Sequence, residues 1–237
     1  MSETKTTKKS SKKIDTQNKV NKESSKKRID WEDVSRSKKL TEPLIRFFKD
    51  KVKWPDISEY QKLSEEFIEE FRYKVSWYYI SIYQNLSEKF IERHKDLVDW
   101  HAISWNQKLS EDFIERYKDR LNWHAISCKQ QLSESFIERY KDKLNWEYLS
   151  EYQRLSEYFI EKYANKVNWY AISRYQKLSE DFIEKFKDRV YWEEISYSQK
   201  LSEPFIEKYK DRVNWQYLIT HQTLSEKFLK KHKDFII

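Results

Sequence analysis

Residues 122–144 read NWHAISCKQQLSESFIERYKDKL, and the spacing within this stretch decides the fold. Trp123, Ile126, Ser127 and Gln130 fall at i, i+3, i+4 and i+7, which is one face of a short helix. Asn122 precedes that helix as an N-cap, its side-chain oxygen suited to an otherwise unpartnered backbone N–H. Ser133 then caps a second helix, with Glu134 in the first turn, where the helix dipole favours an anion. The buried side of this second helix comprises Phe136, Ile137 and Tyr140, and Leu144 closes the corner. The helix is expected to stop near Lys141–Lys143. There Asp142 would take the left-handed turn conformation that glycine, absent from this chain, usually supplies.

The same pattern recurs with Trp31, Trp54, Trp77, Trp100, Trp123, Trp146, Trp169, Trp192 and Trp215, each 23 residues after the last. Residues 31–237 are nine such units without an insertion. A pair of helices this short does not persist alone in water, so each pair must stack on its neighbours. The expected fold is therefore all-α, an α-solenoid of nine two-helix repeats with about 18 short helices. A basic, disordered Lys/Ser-rich tail, residues 1–29, precedes the array, residues 30–237. The cap before Trp is Asp, Ser or Asn in seven units (Asp30, Ser76, Asp99, Asn122, Asn145, Asn168, Asn214), and the second cap is Thr41 or Ser in all nine. Pro43 and Pro204 fall within the first turn, where a missing donor is harmless.

Internal recurrence separates packing positions from free ones. Trp54, Trp77, Trp100, Trp123, Trp146, Trp169, Trp192 and Trp215 are assigned to the structural core, where Trp→Ala would cost about 3–5 kcal/mol. The serines equivalent to Ser104 and Ser127 are read as small residues that permit close helix approach. Gln61, Gln84, Gln107, Gln130, Gln153, Gln176, Gln199 and Gln222 are expected to form a ladder hydrogen-bonding loop backbone, so that Gln130→Leu would lower stability.

Residues 1–30 carry ten Lys or Arg against four Asp or Glu, leaving the array at only +1 of the formal +7. Basicity therefore belongs to the tail, whose Lys8, Lys9, Lys12, Lys13, Lys26, Lys27 and Arg28 suggest a nucleic-acid arm, a bipartite nuclear import signal or a solubilising extension. One cysteine, no apolar leader and no membrane-length apolar run point to an intracellular protein, not secreted and without a membrane partner. On the second helices, Arg93, Arg116, Arg139, Lys162, Lys185, Lys208 and Lys231 form a basic column accompanied by acids. Surface ion pairing between repeats is the first reading of that column, and a phosphate track is the alternative.

The free positions are the first, second, fifth and sixth after each Trp. Eleven of these 36 positions are Tyr or Trp, more than a merely solvated face would hold. Tyr78, Tyr79, Tyr83, His101, Trp105, His124, Tyr148, Tyr152, Tyr170 and Tyr175 are accordingly the candidate partner-binding residues, and joint substitution of Tyr78, Tyr83 and Trp105 would abolish partner capture. His124 and Cys128 lack the companions a zinc site needs, and no glycine loop or nucleophile–base pair is present. Neither a cofactor, a metal nor catalysis is expected.

The units KLSEDFIERYKDRLNWHAISCKQ (108–130) and KLSEDFIEKFKDRVYWEEISYSQ (177–199) resemble the short tandem repeats of paralogous proteins from large DNA viruses that infect amoebae. The shared features are the LSE-x-FIE start, the KD turn, the NW junction and the IS-x-x-Q end. The resemblance implies a helical-repeat fold and a viral, AT-rich origin, and transfers no site residues. Three functions are expected in order: a non-enzymatic scaffold binding a protein partner; a nucleic-acid binder using the tail and the Arg/Lys column; and a self-assembling, virion-associated component. Lys38, Ile219, Leu229 and Lys230 depart from the repeat as capping changes, and Phe235-Ile236-Ile237 offers an apolar end for self-association.

Overall fold

The computed structural model describes residues 29–37 and 40–236. The tail residues Lys8, Lys9, Lys12, Lys13, Lys26, Lys27 and Arg28, together with Lys38 and Ile237, lie outside that range. The chain forms two compact units, Met1–Gln84 and Asn85–Ile237, a division that the unbroken 23-residue clock does not announce.

Among the described residues there are 18 short α-helices, one terminal 3-10 turn and no strand, which is the α-solenoid architecture the repeat implies. Unit one contains α1 (Trp31–Arg36), α2 (Glu42–Phe47), α3 (Trp54–Tyr60), α4 (Glu65–Glu70) and α5 (Trp77–Tyr83). Unit two begins with α6 (Glu88–Arg93), α7 (Trp100–Asn106), α8 (Glu111–Arg116), α9 (Trp123–Lys129), α10 (Glu134–Arg139), α11 (Trp146–Tyr152) and α12 (Glu157–Lys162). It continues through α13 (Trp169–Tyr175), α14 (Glu180–Lys185), α15 (Trp192–Ser198), α16 (Glu203–Lys208), α17 (Trp215–His221) and α18 (Glu226–Lys231). Odd-numbered helices begin at Trp, and within each unit every one of them packs beside the next odd-numbered helix.

Side chains set most of the helix starts. Asn122 accepts from the Ala125 N–H at 3.0 Å, and Ser133 accepts from the Phe136 N–H at 3.2 Å. Asp30, Asp99, Asn145, Asn168 and Asn214 cap in the same way. Ser76 and Thr41 occupy cap positions without a side-chain bond. The expected left-handed turn at Asp142 is not formed, since no described residue has positive φ. Instead Tyr140, at φ −112° and ψ 19°, offers its carbonyl to the N–H groups of Lys143 (2.9 Å) and Leu144 (3.1 Å). That tight turn stays within the right-handed region, so the chain needs no glycine to end its helices.

The core consists of branched aliphatics and phenylalanine. Ile45, Ile57, Phe67, Ile68 and Ile80 in unit one are fully buried, as are Ile103, Ile114, Ile126, Ile137 and Leu149 in unit two. Each such side chain contributes roughly 1.5–3 kcal/mol by leaving water. The tryptophans assigned to this core differ: Trp54, Trp77, Trp100, Trp123, Trp146, Trp169 and Trp192 are only half-buried, and Trp215 alone is buried. Their indole N–H explains the placement, because it must find an acceptor. Trp146 Nε1 donates to the Lys141 carbonyl at 2.9 Å, bolting the start of one helix to the preceding turn. The Trp146 ring lies 4.8 Å from Tyr163, and Lys166 Nζ sits 5.6 Å over it. At Trp215 the residue in that covering position is Phe235, whose ring stacks at 5.4 Å. The apolar end expected to be free is thus partly engaged, with Phe235 41% and Ile236 37% exposed.

Three ladders join successive repeats. Gln153 Nε2 donates to the carbonyls of Ser127 (3.0 Å) and Gln130 (2.7 Å), while its Oε1 accepts from the Leu132 N–H (3.0 Å). Gln176 and Gln199 repeat this arrangement in unit two, and Gln84 does so in unit one, as the glutamine column implied. The serine column does more than save space: Ser150 Oγ donates to the Trp146 carbonyl (2.7 Å) and accepts from the Asn168 N–H (3.0 Å) of the next repeat. The third ladder runs, within each unit, from a second-cap serine to the first-turn glutamate one repeat earlier. In one rung the Ser110 Oγ donates to Glu88 at 3.0 Å, and its N–H bonds the same carboxylate.

Candidate functional site: the variable face of the first helices

The scaffold consumes its glutamine, serine and first-turn glutamate columns internally, which leaves the varying positions of the first helices as the first candidates for recognition. An odd-numbered helix in the interior of a unit, α3 or any from α9 to α15, has a like neighbour on both flanks, so its buried arc is wider than one stripe. The second position after Trp therefore faces inward rather than outward on those helices, where Ala125 and Ala171 are buried and Tyr148 is half-buried; at the unit ends Ala102 is also buried and Tyr79 half-buried. The fifth position is half-buried at Trp105 and Cys128, whereas the first and sixth positions are exposed.

In unit one, Tyr78 and Tyr83 are 56% and 54% exposed, and Tyr79 links them through ring contacts at 5.4 and 6.1 Å. In unit two the candidates form a continuous chain of rings. His101 contacts Trp105 (6.3 Å), Trp105 contacts His124 (5.9 Å), His124 meets Tyr148 edge-on (4.4 Å), and Tyr148 reaches Tyr152 (6.0 Å). Lys129 Nζ lies 5.9 Å over the Trp105 ring, and the shielded Trp105 Nε1 has no acceptor. A second group surrounds Arg174, which bonds the buried Glu194 at 2.6 Å and lies over Tyr175 (5.6 Å) and Tyr197 (5.1 Å). Burial, followed by the Glu194 carboxylate, pushes the Tyr170 hydroxyl above its ordinary pKa. Tyr197 was not among the candidates, although its position is one of the variable four.

Burial also pushes the Cys128 thiol up, which keeps it protonated and poorly nucleophilic. Among the described residues no three His, Cys, Asp or Glu side chains stand together as metal ligands, and no helix is long and apolar enough to cross a membrane.

The basic column of the second helices is engaged from Arg116 onward. Arg116 pairs with Glu92 (2.9 Å), Arg139 with Glu115 (2.8 Å) and Lys231 with Glu207 (2.8 Å), while Lys162, Lys185 and Lys208 pair with Glu138, Glu161 and Glu184. Hydrogen bonds from Arg116 and then Tyr117 hold the Glu92 carboxyl below the usual range. Sequence reasoning missed a different basic column, in the turn eight residues after Trp: Lys108, Arg154, Lys177 and Lys200. All four are exposed, and none has a carboxylate partner. Recurrence at one repeat position was the available signal, but only side-chain pairing distinguishes this column from the neutralised one.

A scan of family models finds no match for the chain, and neither a search of curated proteins nor one of solved structures returns a match.

Proposed function

We propose that the chain is a non-enzymatic scaffold that binds a protein partner along the variable face of its first helices. The observation that carries this reading is the run of rings from His101 through Trp105, His124 and Tyr148 to Tyr152, ending in a side chain 55% exposed on a scaffold that does not need it. Large aromatic side chains presented by rigid elements are the residues in which binding energy concentrates. A phosphate track along the second helices is less supported, because each cation from Arg116 to Lys231 already faces a carboxylate. The test is capture of partners by the full chain and by a Trp105→Ala, Tyr152→Ala, Tyr175→Ala variant, with circular dichroism confirming the fold. Capture lost by a folded variant supports the reading. Equal capture, or binding that collapses between low and moderate salt and follows added oligonucleotide, refutes it.

A further inference from the structure

We propose that the edge of unit two formed by the turns after its first helices binds an extended acidic peptide whose carboxylates recur every third residue. The proposal rests on the protein-scaffold reading and specifies the chemistry of the partner.

Charge carries the first part of the argument. Lys108, Lys129, Arg154, Lys177 and Lys200 line this edge, all exposed and none ion-paired, in contrast to the neutralised cations of the second helices. Where the turn position holds Gln131 instead of a cation, Lys129 two residues earlier supplies one. The edge triplets 106–108, 129–131, 152–154, 175–177, 198–200 and 221–223 contain no Asp or Glu. The basic tail, with ten cations against four acids, is the wrong sign to occupy such an edge.

Shape and spacing carry the second part. Two hollows open at equivalent places. One, of about 450 Å³, lies among Trp105, Lys108, Lys129 and Gln131; the other, of about 410 Å³, lies among Tyr197, Lys200, His221 and Thr223. Each combines an aromatic wall with a cation, a setting for a carboxylate flanked by an apolar residue. Successive first helices pack side by side, which sets the cations about 8–10 Å apart. A polyproline II segment advances about 3.1 Å per residue with three residues per turn, so one turn spans about one repeat. Such segments also dock on aromatic-lined grooves.

Nucleic acid fits less well. Glu151 stands just inside the edge, next to the 152–154 turn, and a uniformly charged phosphate chain would meet it, whereas a peptide can set a neutral or basic residue there.

The experiment titrates the full chain, at physiological ionic strength, into a fluorescein-labelled peptide of six Glu-Pro-Pro triplets. Its comparators are an isomer with all six glutamates clustered and an oligothymidylate of equal charge. Two triple variants have the same net charge: Lys108→Glu, Lys177→Glu, Lys200→Glu on the edge, and Lys89→Glu, Lys118→Glu, Lys227→Glu elsewhere in unit two. The expected result is a preference for the triplet peptide over its isomer and an affinity loss of about tenfold or more in the edge variant, against less than about twofold in the other. Equal losses in the two variants, no preference between isomers, or tighter edge-dependent binding of the oligothymidylate would overturn the proposal. If the triplet peptide fails while Trp105, Tyr152 and Tyr175 remain necessary for partner capture, this proposal falls and the scaffold reading stands.

Discussion

Replacing Gln153 by leucine removes one rung of the glutamine ladder while nearly preserving side-chain volume. Gln153 is 5% exposed and makes three bonds to the preceding repeat: Oε1 to the Leu132 N–H at 3.0 Å, and Nε2 to the carbonyls of Ser127 at 3.0 Å and Gln130 at 2.7 Å. The buried Leu132 N–H would lose its acceptor, at about 1–3 kcal/mol, and each carbonyl a bond worth about 0.5–1.5 kcal/mol. The sum is about 2–6 kcal/mol, a large share of the 5–15 kcal/mol that ordinarily separates folded from unfolded chains. Urea denaturation followed by far-ultraviolet circular dichroism measures the loss. Because the rung joins only neighbouring repeats, amide hydrogen exchange should accelerate at Leu132 and remain protected at Leu178, whose acceptor is Gln199. Gln222→Leu should cost less, since Gln222 is half-buried and its Ser196 bond is 3.5 Å long. A loss below about 1 kcal/mol, unchanged exchange at Leu132, or an equal effect at Gln222 would refute the reasoning.

Ser150→Ala should destabilise the fold by about 1–3 kcal/mol, read as a lowered melting temperature, because the Asn168 N–H then loses its acceptor. Ile160→Ala, at about 2–5 kcal/mol, should cost at least as much as Trp146→Ala despite the smaller side chain; denaturant titrations giving the reverse order would contradict the rim placement of tryptophan. Lys231 and then His232 hold the Glu207 carboxyl below its ordinary value of 4.5. Its contribution to stability is therefore full above that value and lost as pH falls through the lowered one. The advantage over Glu207→Gln should shrink only in acid, and a pH-independent difference in urea midpoint would contradict the pairing. Arg139→Ala removes an exposed ion pair and should cost no more than about 1 kcal/mol, less in high salt, by the same titration.

The repeat, its two helices and most of its caps were legible because they depend on local spacing: Asn122 and Ser133 bond backbone groups three residues ahead. The glutamine ladder was legible as a polar column with no local task. The serine bridge was not, since a hydrogen bond that the Asn168 N–H donates to Ser150 Oγ, 18 residues away, leaves no helical period to read. Tryptophan was placed too deep because size and apolar area suggest burial, whereas the indole N–H holds it at the rim. Tyr148 was placed too far out because helical periodicity assumes one buried face, and a helix between two like neighbours buries more. Two basic columns looked alike as sequence. Pairing to Glu115 neutralises Arg139, while Arg154 is exposed without a carboxylate partner.

The bonds that tie one repeat to the next span fixed offsets, such as 18 residues for the serine bridge and 21, 23 and 26 for the glutamine rung. Excising 123–145 would join Asn122 to Trp146 and hand every surviving donor an acceptor of the same kind at the same offset. Losing or gaining a number of residues that is not a multiple of 23 within a helix would misalign the bonds that cross the junction. The length of this protein is in that sense digital. Recombination between copies of the repeat that keeps this register leaves the crossing bonds intact in a chain one unit longer or shorter, so reach can be adjusted by counting alone.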